Sequence, residues 1–146
     1  MTRWLLFGHV LGATMWVGGA IAGSILVLRG ISSDTDDKLA TLRLMDRVGP
    51  IFPIGAALVL GLGIWMVVDI EGIGFGDPWL IIAYAAIGLS GVVQAIVGPR
   101  LERLRTALEA GDDDAHERWA RIARIVPLDA ALLVVALWAM TTKPGL

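Results

Sequence analysis

Four apolar runs, separated by charged or glycine- and proline-containing stretches, set the pattern of this chain. The first, Trp4 to Leu28, continues for 25 residues without a charge. At about 1.5 Å per residue a helix of that length crosses a hydrocarbon core of about 30 Å. Runs of spanning length recur at 48–68, 79–97 and 125–141. The expected fold is all-α: an integral membrane four-helix bundle forming one domain over residues 1–146. The Arg3-led start and the small residues at Ala20 and Ala22 resemble a secretory signal, but the apolar run extends past the roughly 7–15 residues of such a segment, so retention as a helix is expected.

Between the runs, the stretch from Thr35 to Arg47 is amphipathic, and Ser32, Ser33 and Asp34 offer N-caps for it. Gly49, Pro50 and Pro53 predict a break where the second span begins. Past Pro99, Leu101, Leu104 and Leu108 form one face of a short helix. Gly111 ends it, and Asp113 or Asp114 can cap the next, which predicts a helical hairpin between the third and fourth spans. The Asp112–Asp114 run lacks the ligand spacing of a calcium loop and reads as a solvated turn.

Composition agrees with a membrane assignment, with 56% hydrophobic and 18% charged residues and a positive mean hydropathy. The placement of charge matters more than the net value of −2. The loops 29–47 and 98–124 hold ten of the 12 basic residues, whereas 69–78 carries Asp69, Glu71 and Asp77 with no base. The positive-inside rule then places both basic loops in the cytoplasm and both termini outside. Trp4, Trp65, Trp79 and Trp138 fall near the outer ends of the spans, where an interfacial aromatic belt is expected. The cytoplasmic arginines are expected to meet anionic lipid headgroups, and no nucleic-acid partner is expected.

The absence of cysteine excludes disulfides and thiolate metal sites. No phosphate-cradling loop, HExxH motif, serine triad or intramembrane carboxylate pair is present, so soluble-type hydrolysis is not expected. The candidate chemistry lies within the spans. His9, Gly12, Trp16, Gly19 and Gly23 recur at steps of three and four, along one stripe of the first helix. Tyr84, Gly88, Gly91, Ala95 and Gly98 repeat that spacing in the third span, and Tyr84 should lie at the depth of His9, about 7–8 Å below the belt.

An intramembrane imidazole calls for a metal, a haem iron or a hydrogen-bond partner such as Tyr84 or a backbone carbonyl. Asp129 calls for a partner near its own depth, for which Arg100, Arg47 and Arg124 are the candidates in an inner-leaflet ion pair. A proton-coupled role for this carboxylate is a weaker alternative. Leu133, Ala136 and Met140 follow Asp129 along one face, so Met140 is a candidate second axial ligand. Gln94 suits an interhelical hydrogen bond, and His116 an ordinary surface position.

The motif HVLGATMWVGGAI, the GPRLERL ending of the third span, the Pro127-Leu128-Asp129 start of the fourth and the terminal WAMTTKPG carry a resemblance. The chain resembles small four-helix bacterial membrane proteins related to the CopD membrane domain and, remotely, to HemJ-type protoporphyrinogen oxidases. The resemblance implies haem b bound through His9, which matches the first-helix histidine, and a redox or electron-transfer role; Trp16, Tyr84 and Met140, by their places in the spans, are further cofactor-site candidates. The third-helix lysine of those oxidases has no counterpart from Trp79 to Val97, and CopD-like copper capture lacks its ligands, so neither activity is expected. The competing expectation is a non-catalytic helix-packing protein, a homodimer or an accessory subunit of a larger complex, in which the glycine stripe receives another helix.

Overall fold

The computed structural model describes residues 2–145 and is helical throughout its regular elements. Helix α1 spans Thr2–Arg29 and ends in a 3-10 turn at Gly30–Ser32. It is followed by α2 (Thr35–Val48), α3 (Ile51–Asp69), α4 (Pro78–Glu109), α5 (Ala115–Ala123) and α6 (Val126–Thr142). Four segments are long and apolar enough to cross a membrane: α1 with its turn, α3, α4 and the α5–α6 run. Large apolar side chains on all four point outward, among them Phe7, Ile54, Ile81 and Val134, as lipid contact demands.

Local chemistry sets the breaks. Asp34 caps α2 by accepting from the Asp37 amide at 2.9 Å, and Gly49-Pro50 separates α2 from α3, as the proline placement predicts. Pro99 behaves differently. The expected short helix after it is instead the continuation of α4, which runs uninterrupted for 32 residues. The missing Pro99 amide leaves only the Ala95 carbonyl without its intrahelical donor.

The spans pack in the order α3, α1, α6, α4, with α1 against both α3 and α6 and α6 against α4. Alanines bring α4 and α6 together through a buried cluster of Ala83, Ala86, Ala136 and Ala139, since small side chains let backbones approach where lipid supplies no hydrophobic drive. The outer helices α3 and α4 meet near the end that carries the termini, where Val67 packs with Trp79 and Leu80. At the opposite, basic end α2 reaches α4 through an Asp46–Arg105 ion pair of 2.6 Å. The bundle is therefore open between α3 and α4 at mid-depth.

Most of the large buried side chains sit at the basic end rather than among the spans. Val27, Leu39, Leu42, Leu104, Leu108, Trp119 and Ile122 form a conventional core there. Trp119 is fully buried, its Nε1 donates to the Val27 carbonyl at 2.9 Å, and a Cβ on Gly30 would collide with its indole. The indole thereby satisfies one of the carbonyls left open at the end of α1. Trp119→Ala should cost about 3–5 kcal/mol of stability, read as a lowered unfolding midpoint, while Trp119→Phe should cost less because it leaves most of the ring volume in place.

Beside it Lys38 is only 1% exposed. Its Nζ donates to the Ser33 carbonyl and to Nδ1 of His116 at 2.9 Å, and lies 5.8 Å from the Trp119 ring centroid. Burial pulls the Lys38 ammonium below its ordinary value, against an opposing pull from Asp34. His116 is thus exposed yet also holds a buried cation, a role its position in a polar stretch does not reveal.

Candidate functional site

From His9 to Gly19 the stripe on α1 faces α3, while Gly23 lies beside Met45 of α2. A Cβ on Gly12 would lie 2.7 Å from Leu58 Cβ and 2.9 Å from the Gly55 carbonyl oxygen, and one on Gly19 would enter the Phe52 ring. These glycines form a seam for a helix of the same chain. The room beside Gly12 and Gly19 is thus taken by α3 and holds neither a planar cofactor nor a helix of another chain.

Space does open on either side of the seam. A cavity of about 560 Å³ lies toward the terminal end, lined by His9, Ala13, Gly63, Trp79, Tyr84 and Met140 among others, with Lys143 at its edge. His9, Tyr84 and Met140 are thus brought together from α1, α4 and α6. Trp16 is not with them, since it lines a second cavity nearer the basic end, seven residues and about 10 Å further along α1.

His9 is held rather than loose. Its Nδ1 sits 3.0 Å from the Val59 carbonyl oxygen, and because a carbonyl only accepts, Nδ1 carries the proton. In the neutral ring Nε2 is then the nitrogen with the free lone pair. Gly63, one turn past Val59, lets the ring lie against α3, where an added Cβ would come within 3.0 Å of Cε1. Neither Val59 nor Gly63 stands out in the apolar sequence, although the Val59-to-Gly63 step of four is the spacing that places both beside one ring.

Two donors in the same cavity lack partners among the described residues: the buried Nε1 of Trp79 and the hydroxyl of Tyr84. Trp79 is 6% exposed, against 79% for Trp4, 50% for Trp65 and 48% for Trp138. It is therefore a cavity wall, and only the other three suit a lipid-facing belt. Lys143 places its Nζ 5.4 Å from the Trp79 ring centroid.

The second cavity, about 730 Å³, contains Asp129, Ser90 and Gln94. Asp129 is 3% exposed; one carboxylate oxygen accepts from Ser90 Oγ and the other from Gln94 Nε2 at 2.6 Å. The expected arginine pairing does not occur: Arg47, Arg100 and Arg124 are all exposed. Ser90 and Gln94 are one turn apart on α4 and supply one donor to each oxygen, whereas a guanidinium would have to surrender its hydration to reach this depth. Gln94 fulfils its expected interhelical role, and Ser90 is the partner the sequence reading missed, recoverable from its position four residues before Gln94.

No family model, curated protein or solved structure matches this chain.

Proposed function

We propose that the chain is a multi-pass protein of the bacterial inner membrane, basic end in the cytoplasm, that binds b-type haem through His9 and serves a redox or electron-transfer role. The observation that carries this reading is the 3.0 Å contact of His9 Nδ1 with the Val59 carbonyl oxygen, which assigns the proton to Nδ1 and the lone pair to Nε2 of a ring that lines a cavity of about 560 Å³. An imidazole oriented through its other nitrogen is how proteins present a metal ligand, and the cavity is within the usual size range of cofactor sites.

The surrounding residues fit a group with an apolar body and acceptor oxygens. Trp79 Nε1 and the Tyr84 hydroxyl provide buried donors without partners among the described residues, and Lys143 adds a cation to the lining. Met140 is the candidate second ligand, from α6. Bound there, haem would supply one-electron chemistry; the protein's part is to orient the imidazole, keep water from the apolar walls and hold the polar edge of the group. Purified in mild detergent from haem-replete cells, the protein should show a Soret band, and a colourless preparation would overturn the assignment.

A second reading, helix packing with another copy or a larger complex, is favoured by one observation. Gly88, Gly91 and Gly98 are exposed on α4 with nothing within 4 Å of the place a Cβ would take. If this face meets another helix, Gly88→Leu should lower the oligomeric mass in detergent by sedimentation; an unchanged mass would remove the reading.

A further inference from the structure

We propose that the cavity toward the basic end is a separate binding site for a lipophilic cation, with the Asp129 carboxylate as its counter-ion. The site goes beyond the haem reading and shares no lining residue with the His9 cavity.

Asp129 is buried near the start of α6, inside the α5–α6 segment that is long and apolar enough to span a membrane, and among the described residues no lysine, arginine or histidine forms a salt bridge with it. Its two hydrogen bonds come from neutral donors. A carboxylate offers about four acceptor positions, so half its capacity is left. Neutral donors reduce the cost of the buried charge without cancelling it, and a cation at the site would.

The rest of the lining points the same way. The charged side chains around the cavity are Asp46, Glu102, Arg105 and Asp129. Three carboxylates therefore face one guanidinium, and Arg105 is already engaged by Asp46 at 2.6 Å and by Glu109 at 3.2 Å. The cavity has an excess of negative charge and an otherwise apolar wall that includes Trp16, Phe52 and Val93.

That wall selects the kind of cation. No group of three or more His, Asp or Glu side chains able to hold a metal ion occurs among the described residues, so a bare inorganic ion would lack the ligands that replace its water. A cation with its own apolar body needs no such set, and a wall that includes the aromatic residues Trp16 and Phe52 suits it. Access is lateral. Pro53 on α3 and Gly91, Gln94 and Gly98 on α4 are exposed along the gap where the two helices are not packed on each other, so a ligand dissolved in the bilayer can reach Asp129 without crossing water.

The test is binding of tetraphenylphosphonium to the full chain in detergent by titration calorimetry, in parallel with uncharged triphenylphosphine oxide. The cation should bind saturably at one site, the neutral compound much more weakly, and Asp129→Asn should lower affinity for the cation by at least about tenfold. Gly91→Leu, whose Cβ would have open space around it and which leaves the carboxylate in place, should also weaken binding by filling the groove. It serves as the deciding variant if Asp129→Asn does not fold. No saturable binding, equal affinity for both compounds, or a cation affinity unmoved by the folded variants would overturn the proposal and leave Asp129 as a structural hydrogen-bond acceptor.

Discussion

His9→Ala should remove the Soret band of protein purified from haem-replete cells while leaving the helical circular dichroism and the elution volume in detergent unchanged. The reasoning starts from what the side chain contributes to folding. His9 makes one hydrogen bond, to a carbonyl that α3 already uses in its own helix, and a bond of that kind is worth about 1 kcal/mol. Its loss is therefore small for the fold. For the proposed cofactor the loss is large, because His9 is the one histidine among the described residues that line the cavity and Met140 alone is a weak, soft ligand.

Exogenous imidazole should restore part of the absorbance in His9→Ala, since the deletion leaves a hole of the right shape. Gly63→Ala offers an intermediate case. Its added Cβ would press within 3.2 Å of Nδ1 and 3.0 Å of Cε1, tilting the ring from its carbonyl anchor, and loss of such an orienting contact typically costs about 10–100-fold in affinity. Undiminished haem in purified His9→Ala would show that the iron ligand lies elsewhere.

Much of the arrangement was legible in the chain because membrane helices obey few rules. Length and apolar content located the four spans, Gly49-Pro50 located the break, and three-and-four spacing singled out the faces that carry His9, Tyr84 and Met140, which line one cavity. What escaped depends on the identity of the neighbour, which periodicity does not encode. The α1 stripe says that something comes close; only the packing order shows that it is α3 of the same chain. Trp79 has the same sequence position relative to its span as the lipid-facing tryptophans, yet Val67 and Leu80 enclose it.

Asp129 shows the same limit in its electrostatics. Arginines of suitable depth suggest an ion pair, but the choice between a charged partner and two neutral donors is made by desolvation at the site, and Ser90 with Gln94 already sit there. Lys38 is the reverse case: a residue that belongs on the surface by type is buried because its ammonium finds the Ser33 carbonyl, His116 and the Trp119 ring.

Gly12→Leu should be the most damaging single change in the membrane part of the molecule. A Cβ there meets Leu58 Cβ at 2.7 Å, the Gly55 oxygen at 2.9 Å and the Val59 amide nitrogen at 3.2 Å. Two of the three are backbone atoms, so no rotamer change relieves them and α1 and α3 must separate. Overpacking of this kind costs about 1–3 kcal/mol and more when backbones are forced apart, and the seam it opens is the most extensive in the fold together with α4 on α6. Gly61→Leu, on α3 with nothing within 4 Å, is the matched control and should leave the unfolding midpoint nearly unchanged. The same separation would draw the Val59 carbonyl from His9, so Gly12→Leu should lose haem as well as stability whereas Gly61→Leu loses neither. A Gly12→Leu protein that unfolds at the same midpoint as the parent would mean that α1 and α3 are not in backbone contact, and would take with it the carbonyl that fixes the His9 tautomer.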